Sequence, residues 1–301
     1  MGELVPDQLL ADMKIAIFVL VIVTLFSACD AKNTGNLKLQ NQLVFPEPDR
    51  ILADQLIQAL VKLKGEEHGT LMVHAGKYFL GTPYVAHTLE TGPEEKMVIN
   101  LKEMDCTTFV EYTLALTRTI KSANPGQEKF IKELEKIRYR HGQRNGYLSR
   151  LHYFSEWILD NGRKGVIKDV SREIAHILYP NKIDFMSKHP DSYQVLKENP
   201  GLVVQIEKLE KDISEEVFWY IPKGQLSVYE EKIREGDIIA ITTIIDGLDV
   251  IHTGIALREN GQLKLLHASS TEKEVVVSSG SLSDYLQNSR NASGIMVARA
   301  L

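Results

Sequence analysis

The sequence predicts an α+β protein in which a helix beginning at a cysteine packs on an antiparallel sheet, with a largely helical insertion between the two. Two patterns predict it. Before Pro222, apolar residues recur at helical spacing. After it, the chain turns to alternating, β-branched segments divided by turn residues. Helices first and antiparallel strands later is the order of an α+β fold rather than of an alternating α/β one.

Composition sets outer limits. The chain has 301 residues, 44% hydrophobic and 25% charged, a globular balance that excludes a fibre or a disordered tail. A formal charge of −5 has the wrong sign for neutralising phosphates, so nucleic acid is not an expected partner. Two cysteines are too few for a disulfide scaffold or a four-cysteine zinc site.

Residues 15–26 form an apolar run interrupted only by Thr24 and preceded by Lys14. It is short for a membrane span and has the length of a signal-peptide core. Phe26-Ser27-Ala28-Cys29 follows and resembles the lipobox of bacterial lipoproteins, with Phe26 where an aliphatic residue is usual. That resemblance implies cleavage before Cys29, a lipid attached to it, and an exported protein held at a periplasm-facing membrane. The expected organisation is a signal peptide at 1–28, a polar tether at 29–48 and one catalytic domain at 49–301, with the helical insertion at about 122–222.

Helical stripes cover 51–64, 106–120, 128–138 and 153–161, and 181–209 is charged and loosely helical. Strand patterns cover 237–243, 250–257, 262–267, 274–277 and 295–300.

Asp105 is a good N-cap, so Cys106 falls in the first helical turn. Free N–H groups and the positive end of the helix dipole favour a thiolate there and offer an oxyanion site. A buried cysteine acting as a small hydrophobe fits the position equally well. A thiol nucleophile needs a base, which turns attention to the histidines.

Asn260-Gly261 between two alternating segments signals a two-residue hairpin loop. In that register Ala256 opposes Leu265 and Gly254 opposes His267. His252 and His267 then share one face as diagonal neighbours. Gly254 and Ala256 leave that face shallow, and the helix bearing Cys106 is expected to approach it. One imidazole would take the thiol proton while the other fixes its tautomer. Zinc, with Asp237 or Cys106 as a third ligand, is the rival, but the histidine spacing matches no compact zinc motif. Core histidines without a chemical role are the other alternative. No metal or cofactor is expected.

Gly81-Thr82-Pro83-Tyr84, Asp105-Cys106-Thr107-Thr108, His252-Thr253-Gly254 and His267-Ala268-Ser269 together resemble the papain-like NlpC-type (NlpC/p60) cell-wall cysteine peptidases. The resemblance implies Cys106 as nucleophile, His252 as base, His267 as its orienter and Tyr84 beside the oxyanion site. Thr107-Thr108 stands where that family has Ser-Gly, and the run from Tyr84 to Cys106 is long for it. Asp105 to Glu111 and the Ser-Arg-Leu-His-Tyr-Phe-Ser run from Ser149 to Ser155 resemble a narrower branch, the AmiA-like N-acetylmuramoyl-L-alanine amidases. That branch implies hydrolysis of the amide between N-acetylmuramic acid and L-alanine in soluble muropeptides with a 1,6-anhydro sugar. The alternatives are a γ-D-glutamyl-diaminopimelate endopeptidase and a catalytically silent cell-wall-binding lipoprotein. Ser149, Arg150, His152 and Tyr153 are the candidate substrate-binding residues: Arg150 for a carboxylate, His152 and Tyr153 for a sugar ring.

Overall fold

A computed structural model describes residues 42–92, 94–180 and 182–301. The expected signal peptide, Cys29 and most of the expected tether lie outside the described residues. Residues 45–301 form one compact unit.

The helical layer begins with α1 (Glu47–Leu60) and α2 (His68–Lys77). The expected helix at 51–64 therefore starts earlier, where Pro46 and Pro48 set the first-turn geometry, and it tightens into a 3-10 turn over Val61–Leu63. Next come α3 (Cys106–Lys121) and α4 (Gln127–Arg138). The face of α4 bearing Phe130, Leu134 and Ile137 is buried, the spacing an amphipathic helix requires. A buried ion pair joins the two helices. Arg138 Nε donates to Glu111 Oε2 at 2.7 Å and Arg138 Nη1 to Val98 O at 2.6 Å.

Further along, α5 (Phe154–Arg163), β1 (Ile167–Asp169), α6 (Pro200–Ser214) and β2 (Ile221–Pro222) follow. Residues 122–222, the expected insertion, are mostly helical but also lend β1 and β2 to the sheet. The sheet is completed by β3 (Ile238–Thr243), β4 (Val250–Glu259), β5 (Gln262–Ser269), β6 (Glu274–Val277) and β7 (Ala292–Ala300), with α7 (Leu282–Asn288) between the last two. Its order is β1-β7-β3-β4-β5-β6, with β2 also pairing β7, and every pair is antiparallel.

The hairpin forms as its sequence predicts. Asn260 (φ 52°) and Gly261 (φ 79°) both take positive φ, the demand of a type I′ turn. Ala256 opposes Leu265 and Ile255 opposes Leu266.

The two sheet faces are covered differently. Ile255 and Leu266 face α2 and α3. A Cβ on Gly76 would meet Leu266 Cδ2 at 2.8 Å and Phe109 Cζ at 3.3 Å, so α2 packs this closely only with glycine there. On the opposite face Ile239, Ile241, Ala256, Leu263, Leu265, Ile295 and Val297 form one core with Leu226, Leu282 and Leu286. The expectation that the cysteine helix covers the Gly254–Ala256 face is thus corrected. A Cβ on Gly254 would meet Leu265 Cδ1 and Leu266 O at 2.8 Å, so that glycine makes room for the neighbouring strand.

Candidate active site

Asp105 caps α3 reciprocally. Thr108 N–H donates to Asp105 Oδ1 at 2.8 Å, and Asp105 N–H donates to Thr108 Oγ1 at 2.9 Å. This capping box fixes Cys106 as the first helical residue. It also gives Thr108, at a position where the sequence departs from Ser-Gly, a structural reason to be threonine. Phe109 N–H is taken by Asp105 O. The N–H groups of Cys106 and Thr107 remain at the positive helix end for an incoming anion.

The ladder between β4 and β5 runs from Glu259↔Gln262 to Ile255↔Leu266. Just past its end, Thr253 Oγ1 donates to Cys106 O at 2.8 Å. The start of α3 is therefore tied to the residue that follows His252. The side chains of His252 and His267 meet, Nε2 of His252 to Nδ1 of His267 at 2.6 Å. Their rings stand at 87° with centroids 4.8 Å apart. Diagonal placement was legible in the register; direct contact required the structure.

Tyr84 is held from two sides. Its N–H donates to Lys273 O at 2.8 Å, while Met104 N–H donates to Pro83 O and Val85 N–H to Met104 O at 3.1 Å. Its hydroxyl pKa is pushed up to about 12, first by burial, then by the charges of Cys106 and Asp105. It is a protonated donor beside the thiol.

The expected thiolate is corrected. Cys106 is a free, partly exposed thiol. Burial of the group and the adjacent Asp105 carboxylate push its pKa up to about 11, against the hydrogen bonds from Thr253 and Thr107. Burial lowers His252 to about 3, with His267 adding to the effect, and burial lowers His267 to about 4. At neutral pH the resting centre is therefore a thiol and two uncharged imidazoles. Asp237, the carboxylate considered for a metal, is instead taken by Arg299 through two 2.7 Å bonds.

The segment from Ser149 to Tyr153 has internal partners. Ser149 Oγ accepts from Asn145 N–H at 2.8 Å and donates to Gly146 O at 2.7 Å. Arg150 is buried, with Glu90 at 3.4 Å and Glu95 at 3.7 Å, and lies over the Tyr147 ring. His152 Nε2 meets Tyr147 O at 2.9 Å. Burial and Arg150 lower its pKa to about 3. Tyr153 donates to Glu210 Oε1 at 2.6 Å and accepts from Met186 N–H at 2.8 Å. It is 3% exposed, so a sugar ring has no face of it to meet.

Tyr285, on α7, escapes sequence reasoning. Its ring lies 6.0 Å from that of His252 and 5.2 Å from that of His267. Only the Ser281-x-x-Asp284 capping signal hinted at its helix. Together Tyr285 and His267 wall a cleft of about 730 Å³ that also includes Ser269, Ser278 and Asn288.

Tyr285 packs on the His252 ring and feels the charge of Cys106, so a thiol at a helix start and paired imidazoles border one aromatic ring, a layout suited to nucleophilic catalysis on a carbonyl. Residues 74–295 match the AmiA-like family of N-acetylmuramoyl-L-alanine amidase-like proteins. An N-acetylmuramoyl-L-alanine amidase from Bacteroides uniformis ATCC 8492 is 43% identical, with a TM-score of 0.75, over 78% of this chain and 99% of that one. A Bacteroides fragilis protein provisionally named a xylanase is 44% identical, with a TM-score of 0.72, over 75% of this chain and 99% of that one. A Legionella pneumophila protein shares the fold at 23% identity and a TM-score of 0.61, over 83% of this chain and 94% of that one. No curated protein matches. The chain belongs to the AmiA-like family, amide-bond hydrolases that act on peptidoglycan fragments. Glycosidase chemistry uses two carboxylates flanking the bond. The carboxylate beside this thiol, Asp105, is spent on its helix cap.

Proposed function

We propose that this protein hydrolyses the N-acetylmuramoyl-L-alanine amide of muropeptides, those with a 1,6-anhydro sugar being the preferred substrates, on an NlpC-type Cys-His-His centre. The observation that carries this reading is the 2.6 Å bond from His252 Nε2 to His267 Nδ1, next to a strand residue tied to Cys106. With the shared proton on His252 Nε2, Nδ1 carries a lone pair and is the nitrogen that can act as base.

As Sγ attacks the lactyl carbonyl, its proton passes to His252 Nδ1. The oxyanion takes hydrogen bonds from the Cys106 and Thr107 N–H groups and the Tyr84 hydroxyl. Collapse breaks the C–N bond, and the imidazolium gives its proton to the departing L-alanine amine. Water, activated by the same imidazole, then hydrolyses the lactyl thioester. No step uses a cofactor. The lipobox-like run ending at Cys29 supports export and lipid anchoring at a periplasm-facing membrane.

The test is mass spectrometry of products from GlcNAc-anhydro-MurNAc-tetrapeptide. Free disaccharide plus intact tetrapeptide is the expected result. A disaccharide still carrying L-Ala-D-Glu would assign the diaminopimelate endopeptidase instead. No cleavage would leave a wall-binding protein.

A further inference from the structure

The proton transfer above creates a cation where the resting site has none. When the thiol proton reaches His252, the imidazolium must be stabilised in a place where burial opposes charge. The groups facing His252 are His267 and Tyr285. Cys106 is acted on by Asp105, Thr253 and Thr107, and its own charge reaches Tyr84 and Tyr285. Among the described residues none of these is a permanent cation, and Asp105 opposes formation of a thiolate.

The ring of Tyr285 is placed to face the new charge. It lies nearly parallel to His252, at 25° and 6.0 Å, and meets His267 edge-on, at 81° and 5.2 Å. With the 4.8 Å separation of the two imidazoles, the three rings close a triangle. Rotation of either imidazole breaks both the 2.6 Å bond and the packing on Tyr285. Tyr285 is itself held firmly. Ser281 Oγ donates to Asp284 Oδ2 at 2.7 Å and accepts from Asp284 N–H at 3.1 Å, which starts α7. Leu282 and Leu286 anchor that helix in the core under the sheet.

We propose that Tyr285 is a positioning residue whose aromatic face locks the His252–His267 pair and stabilises the His252 imidazolium by a cation–π contact. The ring performs this role, and the hydroxyl does not. The proposal rests on the assignment of Cys106 and His252 as nucleophile and base.

The test is the rate at which iodoacetamide alkylates Cys106, followed from about pH 5 to about pH 10. This readout reports thiolate–imidazolium formation without any muropeptide. Tyr285→Leu is expected to slow alkylation near neutrality about tenfold and to move the rise of the profile to higher pH. Tyr285→Phe, which keeps the ring, should restore the rate to within about threefold of the parent. A parental rate and profile in Tyr285→Leu overturns the proposal, as does a Tyr285→Phe variant as slow as Tyr285→Leu. If Tyr285→Leu does not fold, fluorinated phenylalanines at Tyr285 decide the matter. Each added fluorine weakens the π face at nearly constant shape, so the rate should fall stepwise, and a flat series overturns the proposal. His252→Ala separates the two levels. If it leaves alkylation unchanged, the assignment of the base fails and the role of Tyr285 falls with it. If it slows alkylation while Tyr285→Leu does not, only the proposal fails.

Discussion

Two stretches of this chain concentrate chemistry-bearing side chains, the start of α3 with its strand partners and the segment from Ser149 to Tyr153. Both stand out in sequence, yet they spend their polar atoms differently. At the first, Asp105, Thr108 and Thr253 occupy the backbone around Cys106. The thiol and one nitrogen of His252 are left for reaction. At the second, Arg150 is buried between Glu90 and Glu95, and the Tyr153 hydroxyl is used twice, by Glu210 and Met186. The contrast shows that a distinctive run of polar residues can hold a scaffold together as readily as it can bind a ligand.

The largest expected effect belongs to the first region. His267→Asn should lower kcat about a hundredfold with the fold intact, because the base loses its fixed tautomer. A parental kcat would remove His267 from the centre. Tyr153→Phe tests the second region. It leaves the buried Met186 N–H unpaired and takes from Glu210 Oε1 one of its two donors, the other being Ser187 N–H, at a cost of about 1–3 kcal/mol. Calorimetry should show a lower Tm while kcat stays within about threefold of the parent. A raised KM at unchanged Tm would make that segment a ligand surface after all and dissolve the contrast.

The pH dependence of stability sharpens it further. His152, His252 and His267 have folded pKa values lowered to about 3, 3 and 4, whereas an unfolded histidine titrates near 6.5. Between those limits the unfolded chain binds more protons. Their contribution to stability is therefore full above about pH 6.5 and is lost as pH falls towards the folded values. Denaturant midpoints for the parent should fall between about pH 7 and pH 5, and His267→Asn should show a shallower fall. Equal slopes would mean that His267 is not held neutral by burial. The smallest effect is expected from Thr253→Val, which removes the donor to Cys106 O. A loss of about 1 kcal/mol corresponds to about a fivefold drop in kcat/KM, and an unchanged value would make that tie dispensable.

The hairpin was legible because Asn260-Gly261 fixes a two-residue turn, and a turn fixes register. Asp105 was legible as a cap because capping is local in sequence. What escaped depends on contacts distant in the chain. Thr253 reaches α3 across 147 positions. The Asp249 carboxylate takes Ser155 N–H at 2.7 Å, 94 positions away, and so caps α5 from the strand side. α7 carries its signal in one capping pair and two leucines, too short for a helical period to emerge. The state of the thiol was misjudged for a related reason. A helix N-terminus is visible in sequence, whereas the burial that outweighs it belongs to the folded chain.

The central claim is that Cys106 is the nucleophile of a muramoyl-alanine amidase. Its most direct test is turnover of GlcNAc-anhydro-MurNAc-tetrapeptide by the parent and by Cys106→Ser, with Tm measured on both. The account predicts that free disaccharide and tetrapeptide appear with the parent and fall by more than about a thousandfold in Cys106→Ser at an unchanged Tm. Release of the same two products by a folded Cys106→Ser protein at the parental rate would contradict it.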